Sequence, residues 1–288
     1  MALAGWSIAA ALAAVGAHAT LRAPRDLRVE DVDVPITGLA EAFEGYRIAM
    51  LADLHHHPAL NRAVVARAVA EVVAWKPDLI ALLGDYGLSF EGFDTVSHRL
   101  YTAGLASLAV LLAPLRAPDG VVGVLGNHDH FGGVAPLTRR ALVEMGVTLL
   151  ENSALHVVRD GAPLIVAGVG DADLGVVDLA RARSGAPGDA PTVVLSHSPD
   201  GVLALEQGHR VDVVLSGHTH GGQVVLPGWG AILTMSRVCR RRTASGWVPN
   251  ARAPLYVSRG IGTQIPLRFW CPPELTRVRL RRAPQQPA

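Results

Sequence analysis

The chain has 288 residues, half of them apolar, and its 26 Lys and Arg against 25 Asp and Glu leave a formal charge of +1. That is enough apolar sequence for one large domain with its own core, and the balanced charge gives no indication of a nucleic-acid partner. Two cysteines, Cys239 and Cys271, are too few for a disulfide framework and lack the spacing of a structural zinc site, so they read as packing residues, with one bridge open if the domain is extracytoplasmic.

From Ala2 to Thr20 no Asp, Glu, Lys or Arg occurs, a length that as helix spans roughly 28 Å and nearly crosses a bilayer core. Residues 1–21 therefore read as an N-terminal membrane anchor. The rival reading is a cleaved signal segment, because Ala17-His18-Ala19 has the A-x-A form, although no basic residue precedes the apolar run. Arg22, Arg25 and Arg28 follow it, and the positive-inside tendency would leave the large domain on the cytoplasmic side. An upstream start would reverse that orientation, so the side of the membrane stays open.

After a polar connector, the main domain is expected over residues 46–282. Tyr46 to Ala52 is a short apolar run ending in Asp53, the pattern of a buried strand that delivers its last residues to a site. A helix is expected from about Asn61 to Trp75, with Val65, Val69, Val72 and Val73 on one face. Lys76-Pro77-Asp78 stops it, and Leu79 to Leu83 is a second strand ending in Gly84-Asp85. A helical stretch near Val96 to Leu112 leads to the strand Val121 to Leu125 and then Gly126-Asn127-His128-Asp129. Further apolar runs at Leu164 to Val169, Thr192 to Leu195 and Val211 to Leu215 end near Asp171, His197 and His218. In open α/β sheets ligands bind outside the carboxyl ends of the strands, so these polar termini should converge on one cleft. The C-terminal runs Gln223 to Leu226, Leu255 to Ser258 and Leu275 to Leu280 lack intervening helices and suggest a second, partly antiparallel sheet.

The polar termini read, in order, Asp53-Leu54-His55, Gly84-Asp85, Gly126-Asn127-His128-Asp129, Ser196-His197 and Gly217-His218-Thr219-His220-Gly221-Gly222-Gln223. Each alone is weak, but in this order they resemble the calcineurin-like metallophosphoesterases. The stretches Gly217 to Pro227, Leu255 to Gly262 and Pro266 to Phe269 are similar to the bacterial membrane-associated phosphodiesterase branch of that superfamily. The resemblance implies a four-layer α/β sandwich of two mixed β-sheets flanked by helices. It also implies phosphodiester hydrolysis, with phosphomonoesters as a second substrate, at two divalent metal ions, whether Mn, Fe, Zn or Mg.

Attack on a phosphodiester anion calls for charge neutralisation and a hydroxide near neutral pH, and two cations roughly 3.5 to 4 Å apart supply both. By resemblance, Asp53, His55 and His220 hold the first ion, Asn127, His197 and His218 the second, and Asp85 bridges them. Period-two alternation would turn Asp53 and His55 to one side if the strand stays extended, and likewise His218 and His220. His128 is expected to protonate the leaving oxygen, with Asp129 orienting it; the alternative for Asp129 is a turn-capping carboxylate. Leu88 stands where the tyrosinate-ligated iron phosphatases have their tyrosine, so an iron–tyrosinate centre is not expected.

His56 and Arg259 are candidate substrate contacts, against solvent exposure for His56 and a structural ion pair for Arg259. His57, His130 and Asp171 are near the cleft in sequence without a defined role. Arg237, Arg240, Arg241 and Arg242, with Trp247, Leu267, Phe269 and Trp270, could meet a lipid-linked substrate or an anionic membrane surface, against a solvated loop and core packing. Related enzymes suggest a narrower alternative, a pyrophosphatase on a nucleotide-linked acyl sugar such as UDP-diacylglucosamine. A non-enzymatic metal-binding scaffold or sensor is the alternative of another class, and every metal position being filled counts against it.

Overall fold

The computed structural model describes residues 13–283 except 91, 93, 94 and 207. Most of the expected membrane anchor therefore lies outside the described residues. Its end, residues 13–17, is helical and runs into a π-helical turn at His18–Arg22, exposed except for Ala19. Among the described residues no helix is long and apolar enough to cross a membrane.

The first strand, β1 (Arg28–Ile36), falls in what composition suggests is a polar connector. Its Val32, Val34 and Ile36 alternate with Asp31, Asp33 and Pro35, and the period of two turns the three apolar side chains inward. There follow β2 (Arg47–Leu51), α1 (Arg62–Trp75), β3 (Leu79–Leu83), α2 (Thr95–Leu112), β4 (Val121–Val124), α3 (Ala135–Glu144) and β5 (Thr148–Leu149). On α1 the buried face is Val64, Val65, Ala68, Val69 and Val72. Val73 faces outward, 45 % exposed, because it lies one residue round the helix from Val72.

The second half contributes β6 (Ser153–Arg159), β7 (Ala162–Gly168), the short helix α4 (Leu179–Ala182), β8 (Thr192–Leu195) and β9 (Val213–Ser216). A hairpin of β10 (Val225–Leu226) and β11 (Gly230–Ala231) precedes β12 (Gly246–Trp247), β13 (Leu255–Val257) and β14 (Glu274–Arg282). Sheet order is β1-β14-β2-β3-β4-β5 in one sheet and β12-β13-β9-β8-β7-β6 in the other. Apart from the two-stranded β10-β11 hairpin, the C-terminal strands thus join the two large sheets and do not form one of their own. β13 extends the second sheet parallel to β9, while β14 returns to the first, parallel to β1 and antiparallel to β2.

Both sheets are mixed, and they face one another across a core that includes Phe43, Ile48, Met50, Leu83, Val124, Val166, Leu195 and Leu215. The opposite face of the first sheet packs on α1, α2 and α3, and that of the second on α4 and the loops carrying Val202, Cys239 and Val248. This is the four-layer α/β sandwich expected. Strands buried on both faces are near-continuous apolar runs, as β3 is throughout and as β8 and β9 are apart from Thr192 and Ser216 at their ends. Cys239 and Cys271 are free and buried, so no bridge joins them.

Candidate metal centre

The parallel strands β2, β3 and β4 of one sheet and β8 and β9 of the other end at the same edge of the sandwich. Beyond their carboxyl ends lie Asp53, Asp85, Asn127, His197 and His218. The sheets are joined there by polar contacts. His218 donates its amide to Asp53 Oδ1 at 2.9 Å, and His197 Nδ1 lies 2.7 Å from the Leu83 carbonyl.

Strand alternation does not bring the side chains together. β2 stops at Leu51, and Asp53, His55, Asp85, His218 and His220 all have left-handed backbone, with φ of 52°, 36°, 56°, 70° and 51°. Each such non-glycine residue is strained, and here the strain falls on the residues that form the centre. Close packing supplies the restraint. A side chain on Gly126 would sit 2.2 Å from Asp85 Oδ1, and one on Gly217 2.5 Å from Asp53 Oδ2.

Seven donors converge. His55 Nε2 lies 3.1 Å from His220 Nε2, and His220 Nε2 lies 3.9 Å from Asp53 Oδ1. On the other side, Asn127 Oδ1 is 3.1 Å from both His197 Nε2 and His218 Nδ1. Asp85 Oδ2 sits between the groups, 3.3 Å from His55 Nε2 and 3.4 Å from His197 Nε2. Two of the imidazoles have their tautomer fixed from behind. Nδ1 of His197 donates to Leu83 O, freeing Nε2 inward, whereas Nε2 of His218 donates to Met235 O at 3.0 Å, freeing Nδ1.

Electrostatics point the same way. Burial pushes Asp85 up, yet His197 and His55 hold it well below the ordinary carboxylate range. Burial pushes His197 down, but Asp85 and Asp53 raise it well above its usual value. Asp53 is raised by burial, and burial with the neighbouring His55 keeps His220 well below its usual value. The buried Nδ1 atoms of His55 and His220 have no hydrogen-bond partner among the described residues. Facing imidazole nitrogens and sunken carboxylates of this kind fit cations, and oxygen with imidazole donors fits divalent ions such as Mn, Fe, Zn or Mg.

His128 lines the cleft, its ring 5.1 Å from that of His55 and its amide donating to Asp85 Oδ1 at 2.9 Å. Burial lowers it to about 4 against the pull of Asp85. The Asp129 carboxylate faces backbone amides and not the His128 ring. Its Oδ2 accepts from the amides of Asp85 and Gly126 at 2.7 and 2.9 Å, and its Oδ1 from that of Tyr86 at 3.0 Å. Of the two sequence readings the turn-capping one describes these contacts, and burial with the charge of Asp85 pushes the carboxyl up to about 7. His128 is held instead by the Ser89 carbonyl, 3.0 Å from Nδ1, and by Gln264, whose Nε2 is 2.6 Å from Nδ1 and 3.0 Å from Nε2. Neither partner carries a motif that would have marked it in the sequence.

The two candidate substrate contacts lie elsewhere. His56 is buried between Asn61 Oδ1 and Ser107 Oγ, at 3.1 and 3.0 Å, because its side chain follows the outer face of the loop. Arg259 pairs with Glu30 and Glu274 at 2.5 and 3.3 Å. Neither lines the cleft, and His57 is only partly buried behind it. Asp171 caps a turn through the amides of Asp173 and Leu174. Trp247 and Trp270 are exposed, while Leu267 and Phe269 are half-buried.

A family profile described as calcineurin-like phosphoesterase matches residues 46–222. The chain is 29 % identical over 277 residues to the Bacillus subtilis metallophosphoesterase YkuE, covering 95 % of this chain and 93 % of that one. It is 30 % identical over 237 residues to the Escherichia coli phosphodiesterase YaeI, with 82 % of each chain covered. A Danio rerio transmembrane protein with a metallophosphoesterase domain is 28 % identical, over 94 % of this chain and 61 % of that protein.

Proposed function

The chain belongs to the calcineurin-like phosphoesterase family and is a metal-dependent phosphoric ester hydrolase, and from that premise we propose that its cleft hydrolyses phosphodiesters with the seven converging residues as ligands of two divalent ions. The carrying observation is Asp85 Oδ2, placed between the imidazoles of the two groups at 3.3 and 3.4 Å. In this reading Asp53, His55 and His220 hold one ion, Asn127, His197 and His218 the other, and Asp85 both. Two such ions, when bound, would supply charge neutralisation for the phosphoryl oxygens and a water acidified toward neutral pH.

The protein's own groups do the rest. His128, in the cleft wall beside Asp85, donates a proton to the departing oxygen. Ser89 O and Gln264 hold the ring against the cleft. Asp129 acts one step back, fixing the Gly84-Asp85-Tyr86 turn on which the bridging carboxylate stands.

Residues 46–282, with β1 (Arg28–Ile36) completing their first sheet, form the catalytic domain in this reading, and residues 1–21 a membrane attachment. Support for the attachment is the uncharged run itself and the transmembrane designation of the Danio rerio relative. The test of function is hydrolysis of bis(p-nitrophenyl) phosphate and p-nitrophenyl phosphate by protein stripped with chelator and resupplied with Mn, beside Asp85→Asn. Metal-dependent release that is faster on the diester and lost in the variant is expected. Inactivity with both ions bound would contradict the reading.

A further inference from the structure

The cavity that contains the metal centre is lined by two chemically distinct sets of residues. Asp85, Asn127, His128, His218 and His220 share a single space of about 320 Å³ with a wall of Ile232, Leu233, Met235, Ile265 and Leu267, and the sets adjoin where Met235 O meets His218 Nε2 at 3.0 Å. Four of those wall residues are far more exposed than isolated folding would favour: Ile232 at 50 %, Leu233 at 64 %, Met235 at 68 % and Ile265 at 66 %. Contiguous exposed aliphatic surface in a concave site marks a ligand contact.

The wall offers few hydrogen bonds to a polar ligand. Gln223 Nε2 donates to the carbonyls of Ile265 and Leu267, the Thr219 hydroxyl to that of Ala244, and Gln264 Nε2 is engaged with His128 and Ser89. Their donors are turned into the protein. A sugar or nucleobase lying there would lose its water without replacement, at a cost a hydrocarbon chain does not meet. The wall also continues toward the helical residues 13–22, since the Ala19 carbonyl accepts from the amide of Arg268, the neighbour of Leu267.

We propose that the apolar wall is a subsite for a hydrocarbon chain esterified to the phosphate undergoing hydrolysis, so that the substrates are amphiphilic phosphodiesters. The inference rests on the phosphodiesterase reading above and names its substrate class. Because the wall begins at the metal centre, the chain and the reacting phosphate belong to one molecule. The chain adds binding through burial alone.

The test uses the full-length protein loaded with Mn and a series of p-nitrophenyl alkyl phosphates from methyl to hexyl, kept below the concentration at which they aggregate. KM is expected to fall about two- to fourfold for each added methylene, and the slope to flatten in Leu233→Ser and Ile265→Ser, whose exposed positions carry little folding risk. Val110→Ser, on the outer face of α2 at 65 % exposure, should keep the wild-type slope. A KM independent of chain length in the wild type, or a slope unchanged in the two wall variants, overturns the subsite and leaves the phosphodiesterase reading standing. No release from any member of the series, with both ions bound, removes that reading and the inference with it.

Discussion

Asp129 supports Asp85 through the backbone: its Oδ2 accepts the Asp85 amide at 2.7 Å, and no contact joins its carboxylate to the ring of His128. Asp129→Ala should therefore be a structural lesion. Three buried amides, of Asp85, Tyr86 and Gly126, lose their acceptor at about 1–3 kcal/mol each, so Tm should fall by at least roughly 6 °C and metal affinity with it. Calorimetry and metal titration would check this. Normal Tm and normal metal loading with slow turnover would instead favour the orienting role.

His128→Ala is expected to keep both ions and the fold, since the residue's side chain stands at the cleft wall and its backbone amide still reaches Asp85. Turnover should drop about 10²- to 10⁴-fold on alkyl leaving groups and much less on p-nitrophenolate, which departs without a proton. Rates compared across leaving groups measure the role. An equal loss on all of them would assign His128 to binding.

Gln264 contacts both ring nitrogens of His128 and also donates to Ser89 O. Gln264→Ala should lower kcat on alkyl leaving groups several-fold at unchanged metal stoichiometry. A variant with wild-type kcat would reduce Gln264 to a wall residue.

Asp200 anchors the loop that supplies Met235 O to His218, accepting from Ser236 Oγ and from the amides of Arg237 and Val238. Burial pushes its carboxyl up, but these hydroxyl, amide and guanidinium donors outweigh burial and hold it below the ordinary value. A depressed carboxylate stabilises the fold above its unfolded pKa, about 3.9, and the contribution is lost as pH falls through the folded value. In chelated protein, Asp200→Asn should have a lower Tm than wild type at pH 7, with the gap closing below pH 4. A gap that is the same at every pH would contradict the anchor.

The sequence made the six strand-end motifs legible because parallel strands buried on both faces are continuous apolar runs, and a polar residue ending each run stands out. The backbone at those ends was not legible. Left-handed Asp85 packs against Gly126 and left-handed Asp53 against Gly217 and Gly260, all far along the chain, so strand alternation could not supply this geometry. β1 was hidden because its acidic alternation reads as a connector until β14, more than two hundred residues later, pairs with it. Arg259, suggested by a stretch similar to the membrane-associated branch, and His56, suggested by its place beside Asp53-Leu54-His55, instead meet partners distant in the chain, Glu30 and Ser107. Arg268 had no motif as a buried brace, yet its guanidinium donates to the carbonyls of Arg259, Gly260 and Gly262 behind Asp53.

The central claim is one bridging carboxylate between two triads, and anomalous diffraction from crystals of the Mn-loaded protein tests it directly. Two peaks are expected, one ringed by Asp53, His55 and His220 and the other by Asn127, His197 and His218, with Asp85 in contact with both. A single peak, or two peaks that Asp85 does not join, would contradict it.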